Sequence, residues 1–236
     1  NKINSSVYVT KGKPINVFQE LTRLYNITDV YFNYDYEPYA RERDQTVSQY
    51  LEEKGIRVHT FKDQVIADKG DVLKKDGKPY TVFTPYMKKW KENYQPDKIH
   101  SFPSENFIKS FLQTETLKTP SLKEIGFEST GQEFPEATLN KPLIEDYHNT
   151  RDYPGEKGTT RLSVHFRFGT ISIREAFQKA FQWNETWLNE LIWREFYMMI
   201  LWHFPKVTDH AFKPAYDQIE WRNNEKEFKA WCKGKT

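Results

Sequence analysis

Cysteine is almost absent: Cys232 is the single one in 236 residues. That excludes an intrachain disulfide and fits a reducing, cytoplasmic setting. Glycine is scarce at ten and methionine at three, which argues against low complexity, and no internal repeat is present. No glycine-rich phosphate loop follows a strand pattern. The six histidines (59, 100, 148, 165, 203 and 210) have no metal-ligand spacing, and neither CxxC nor HExxH occurs. An excess of one charge is missing too, with 35 basic against 33 acidic residues, so bulk charge does not announce a nucleic-acid partner. Any affinity for DNA must come from local arrangement. A long uninterrupted apolar run is also lacking. The stretch from Trp187 to Phe204 is broken by Asn189, Glu190, Arg194 and Glu195, and no charged-then-apolar leader opens the chain, so a soluble protein without a membrane span is expected.

Aromatics are what the chain has in quantity. Seven Trp, 14 Tyr and 17 Phe bury a large area per residue, which a disordered chain could not offer. The first 95 residues alternate strand and helix patterns. Ser6 to Thr10 reads as a strand, and Ile15, Phe18, Leu21 and Tyr25 recur at helical spacing. Asp29 to Tyr34 is a β-rich run. Pro38 opens a charged helix capped near Gly55, and Ile56 to Phe61 is a further strand. Strand, helix and strand with short joints predict parallel pairing through a right-handed crossover. Asp76-Gly77 predicts a tight turn, and Thr84-Pro85 predicts a helix start with Thr84 as N-cap.

From 96 to 140 the periodicity fades among Pro96, Pro103, Pro120 and Pro135, a long connection of the kind that crosses a surface between domains. Beyond it the pattern is helical. Ser172 to Glu175 forms a capping box, Asn184 caps a long helix ending near Phe204-Pro205, and Glu225 to Lys233 is a last helix. The division expected is an α/β part over 1–95 with an incomplete parallel sheet, a linker over 96–140 and an all-α part over 141–236. Two or three strands are too few for a sheet covered on both faces, and the chain stops at Gly234-Lys235-Thr236, so both ends read as cut.

In WLNELIWREFYMMILWHF, Glu190, Trp193, Arg194 and Tyr197 fall on one stripe about 100° wide, opposite Leu188, Ile192 and Met199. Two readings stay open. One is a Glu190–Arg194 pair at i, i+4 beside packed aromatics; the other is a wall offering stacking and hydrogen bonding to a planar ligand. Gly158-Thr159-Thr160-Arg161-Leu162-Ser163 carries three hydroxyls and an arginine, a composition suited either to a phosphate or to an ordinary loop and helix cap. Tyr147 and Arg151 lie one helical turn apart.

Taken in order, VYFNYDYEPYARERD, YTVFTPYMKKW, TTRLS, FGTIS, WLNELIWREFY, HFP and WCKGKT resemble the cryptochrome/DNA photolyase family over nearly the whole chain. ELIWREFY resembles the class I cyclobutane pyrimidine dimer photolyases in particular. The resemblance implies an internal fragment: the late part of the antenna domain, and the first part of a helical domain that binds FAD. It implies that Tyr147, Thr159, Thr160, Arg161, Leu162 and Ser163 hold the FAD diphosphate and ribityl, with Trp187 packing at the flavin. It implies that Arg151 contacts the DNA backbone and that Glu190, Leu191, Ile192, Trp193, Arg194, Glu195, Phe196 and Tyr197 line the dimer pocket. There Trp193 stacks on the flipped dimer and Glu190 hydrogen-bonds it. Trp221 matches the outermost tryptophan of the relay that photoreduces the flavin. Positions that in some members hold a folate antenna are here Tyr39, Ala40 and Asp209, which departs from the pattern. The resemblance thus implies a monomeric, cytoplasmic, light-driven lyase acting on UV-damaged DNA, with a signalling cryptochrome as the alternative.

Overall fold

A computed structural model describes residues 4–236. Pro14 and Pro38 each sit in the first turn of a helix, where a fixed φ helps and no amide is missed. They open α1 (Pro14–Leu24) and α2 (Pro38–Glu53). Ala40, Val47 and Leu51 recur on one face of α2 and are its buried residues. Gly55, at φ 74°, turns the chain out of α2 in a conformation that costs other residues a Cβ clash. The strands β1 (Asp29–Asn33) and β2 (Arg57–Phe61) then pair in parallel from Asp29 opposite Arg57 to Asn33 opposite Phe61. Val47, Leu51 and Ile56 form a small core there with Phe18, Val30 and Val58. Ser6–Thr10 joins no sheet. The Ser6 hydroxyl accepts from the Leu117 amide, and Lys11 reaches the Ile125 carbonyl, so this segment lies along the 114–125 connection instead.

The turn at Asp76-Gly77 is present, with Gly77 at φ 76° and Lys74 bonded to Lys78 across it. Helix α3 (Phe83–Asn93) begins earlier than Thr84, after Val82, and no side chain caps it. Thr84 is therefore inside the helix. After 3₁₀ turns at Pro96–Lys98 and Ser104–Ser110 come α4 (Lys141–Glu145), α5 (Tyr147–Thr150), α6 (Ser163–Phe168), α7 (Ile173–Trp183) and α8 (Glu185–His203). Ser172 and Asn184 cap α7 and α8 by accepting the amides of Glu175 and Trp187. Further 3₁₀ turns at Pro205–Thr208 and Pro214–Gln218 lead to α9 (Glu225–Cys232). No helix among the described residues is long and apolar enough to cross a membrane.

The main core joins Ile66, Ala67 and Val72 to Tyr86 and Trp90 of α3, and these to Phe177 of α7 and Leu188, Ile192 and Met199 of α8. Trp90 is wholly buried and stacks on Phe177 at 4.9 Å. Composition changes near residue 95, yet packing does not stop there: α3 and the segment before it are built into the helical body. That attachment positions the site.

Candidate functional site

Helix α8 organises the site, because its opposite faces do different work. Leu188, Ile192 and Met199 enter the core, as their spacing predicts. Toward the other side opens a cleft of about 500 Å³ whose walls come from three places: Tyr147 on α5, the loop Thr159–Ser163 leading into α6, and Trp187, Glu190, Leu191 and Arg194 on α8. The residues singled out for a flavin therefore share one cavity with three of those singled out for a dimer. Their donor set also fits such a cofactor. Hydroxyls of Thr159, Thr160 and Ser163 and the Arg161 guanidinium suit a diphosphate, and the flat Trp187 and Tyr147 side chains suit a ring system.

The loop is held by close approach. A Cβ on Gly158 would stand 2.5 Å from the Thr150 carbonyl oxygen, so only glycine lets the loop lie against α5, where the Thr150 hydroxyl donates to the Gly158 carbonyl at 3.2 Å. Arg161 then takes φ 53°, an uncommon value for a side-chain-bearing residue. This turn leaves Arg161 exposed at the cleft while its neighbour Leu162 is buried as an anchor.

Glu190 pairs with Arg151 at 2.5 Å rather than with Arg194, so the i, i+4 reading gives way to a bond between α8 and the end of α5. The Arg151 guanidinium lies 5.2 Å from the Tyr147 ring centre. The hydrogen bond to Glu190 holds the Arg151 guanidinium above its ordinary range. Arg194 points instead at backbone, donating to the Gln64 carbonyl at 2.5 Å and the Phe166 carbonyl at 3.3 Å. Burial pushes its guanidinium down.

The stretch from Glu190 to Tyr197 therefore divides. Ile192, Glu195 and Phe196 are 0%, 1% and 5% exposed, which removes them from any surface a duplex can reach. An eight-residue helical run cannot present every side chain to one ligand, since successive residues turn by 100°. Trp193 is half-buried and stacks on Phe83 of α3 at 3.6 Å, with Tyr197 at 5.4 Å. Tyr197 itself is exposed.

Glu195 is the unexpected residue. Its carboxylate accepts the Ile66 amide, the Ala67 amide at 3.0 Å and the Trp90 indole N–H at 2.6 Å. Burial pushes it up to about 7, against those three hydrogen bonds and the nearby Arg194, which pull it down. Trp221 stands apart from the cleft, 72% exposed, above a hollow shared with Phe228 and Trp231. Of the folate positions, Tyr39 and Asp209 are exposed and Ala40 is buried. Sequence reasoning missed Phe166, Arg167 and Met198, which also line the cleft. Their signal was weak: α6 is only six residues long, and Met198 differs in no way from an ordinary core residue.

The chain is similar to known proteins. Residues 1–106 match the family model described as DNA photolyase, and residues 187–236 match the FAD binding domain of DNA photolyase. A deoxyribodipyrimidine photo-lyase of a Synechococcus strain is 31% identical over 98% of this chain and 54% of its own length. A bacterial class III photolyase of Agrobacterium tumefaciens has a TM-score of 0.76 at 23% identity, covering 94% of this chain and 51% of that one. A Synechocystis cryptochrome reaches 0.69 at 16% identity, covering 98% and 53%. The last two are likenesses of fold alone. The chain spans about half the length of the curated photo-lyases it matches. With two family models of DNA photolyase falling in order along it, the chain belongs to the cryptochrome/DNA photolyase family.

Proposed function

We propose that the protein containing this chain repairs cyclobutane pyrimidine dimers in UV-damaged DNA under blue light, as a class I photolyase with FAD in the cleft. One observation carries the reading: the hydroxyl-rich loop Thr159–Ser163 and Glu190, which is paired with Arg151, face a single cavity. Bound FAD would supply the photochemistry, giving an electron to the dimer and taking it back after the ring splits. The chain's own residues do the rest. Arg161, Thr159, Thr160 and Ser163 hold the cofactor's phosphates; Trp187 and Tyr147 flank its flat part. Glu190, held by Arg151, offers a carboxylate to a flipped pyrimidine pair. Flipping of this kind, general among photolyases, costs a few kcal/mol and less for damaged bases. Trp193, one face of which is stacked on Phe83, and the exposed Tyr197 add aromatic surface on the same helix outside the cleft's lining, and aromatic stacking is worth about 1–3 kcal/mol per base. Trp221, exposed and oxidisable, serves as the outer end of an electron relay. The protein works as a monomer in the cytoplasm.

The second reading is a blue-light photoreceptor with the same flavin and no repair. An acid held at the cleft by an arginine favours repair, because signalling through a protein partner has no need of it. A light-dependent repair assay on dimer-containing oligonucleotides decides between them: loss of dimers under blue light supports repair, whereas a flavin-loaded protein that leaves every dimer intact points to the photoreceptor.

A further inference from the structure

Glu195 is the one charged residue in the core of the described chain, and its surroundings are specific. All three of its partners are donors: the amides of Ile66 and Ala67 and the indole of Trp90. The residue before it, Arg194, donates to the carbonyl of Gln64. Two adjacent residues of α8 thus grip one four-residue stretch from both sides, the cation on a carbonyl and the anion on amides. Arg194 also donates to the Phe166 carbonyl of α6 and lines the cleft. A buried carboxylate is a poor way to gain stability, because apolar residues of like volume do as well or better. What it provides is direction: three donors fix where α8 sits relative to α3 and to the 64–67 stretch.

We propose that Glu195 is a positioning residue for the cleft, acting through Arg194, which it holds in register between the 64–67 stretch and α6. The inference deepens the flavin-and-dimer reading by naming what sets the position of the cleft's α8 wall.

Backbone hydrogen exchange in the wild type and in Glu195→Gln tests it without needing any ligand. Loss of a charge-assisted hydrogen bond should speed exchange at Ile66 and Ala67 by about ten- to a hundredfold. The proposal requires a parallel rise in α6 and in the loop at 159–162. A rise confined to 66 and 67 overturns it and leaves Glu195 a local structural group. Should Glu195→Gln fail to fold, Trp90→Phe removes one donor while keeping an aromatic ring, and the same pattern is expected at smaller amplitude. An FAD titration of the whole protein that contains this chain separates the two readings. If that protein binds no flavin, the flavin reading falls while the exchange comparison still decides the positioning role.

Discussion

Two of the three glutamates of helix α8, Glu190 and Glu195, stand five residues apart and live in opposite worlds. Glu190 stands at the cleft, partly exposed, and meets a full charge, Arg151. Glu195 is in the core and meets only neutral donors. The first can exchange its partner for a ligand; the second cannot, because its partners belong to backbone and to a buried indole. One residue type on one helix thus divides into a group at the cleft and a group sealed in the core, and what decides is the face on which each falls.

The largest test of that contrast strikes the fixed side. Trp90→Ala should remove a wholly buried indole and one of the three donors to Glu195, and should destabilise the fold by about 3–5 kcal/mol. Urea unfolding followed by circular dichroism measures it. A loss below about 1 kcal/mol, the range of ordinary surface changes, would mean α3 is not part of the helical core.

A second test uses pH. Burial pushes the Glu195 carboxyl from 4.5 up to about 7. Its folded value lies above the unfolded one, so between these limits the folded chain keeps a proton that the unfolded chain has lost. Stability should therefore fall as pH rises from 5 to 7, and this part of the slope should vanish in Glu195→Gln. The groups around it do not imitate the effect. Burial pushes Tyr36, Tyr86 and Tyr94 up and out of the window, Asp68 is held below the usual range, and Arg194 is a base. Urea midpoints at pH 5, 6 and 7 for both proteins give the answer, and parallel slopes would show that Glu195 does not titrate there.

A third test moves to the cleft. Gly158→Ala places a methyl group 2.5 Å from the Thr150 carbonyl, so the loop must shift. Overpacking of this kind costs about 1–3 kcal/mol. Flavin affinity should drop more than stability does, since Thr159–Ser163 move with the loop. Equal affinity in the variant, measured by fluorescence titration, would show that the loop position is immaterial to the cofactor.

Much of this was legible from the residues. Pro38, Gly55, Ser172 and Asn184 punctuate helices by local chemistry, and the structure has those helices. The apolar face of α8 followed from 100° periodicity. The parts that sequence could not reach depend on distant partners. Ser6–Thr10 has strand-like composition but lies against a connection, because a strand exists only where a partner offers a ladder. Glu195, expected with its neighbours to line the dimer pocket, is instead in the core, since its donors are 105 to 129 residues away. Glu190 offered an i, i+4 partner by spacing and took Arg151 instead, 39 residues back.

The smallest expected effect on stability is the sharpest on function. Glu190→Gln keeps size and hydrogen-bonding capacity and removes one charge from a pair that is about a third exposed on each side, 32% and 35%. Pairs so placed contribute about 0–1 kcal/mol, because water competes for both groups and ordering two long side chains opposes the attraction. The unfolding midpoint should therefore hardly move. Affinity for a dimer-containing oligonucleotide should fall several-fold, while affinity for the undamaged sequence stays the same, since backbone contacts do not need the carboxylate. Fluorescence anisotropy with the two oligonucleotides measures the ratio. An equal loss on both would assign Glu190 to general electrostatics around Arg151. A loss of stability with unchanged binding would place it with Glu195 as a fixing group, and the contrast between the two acids would fail.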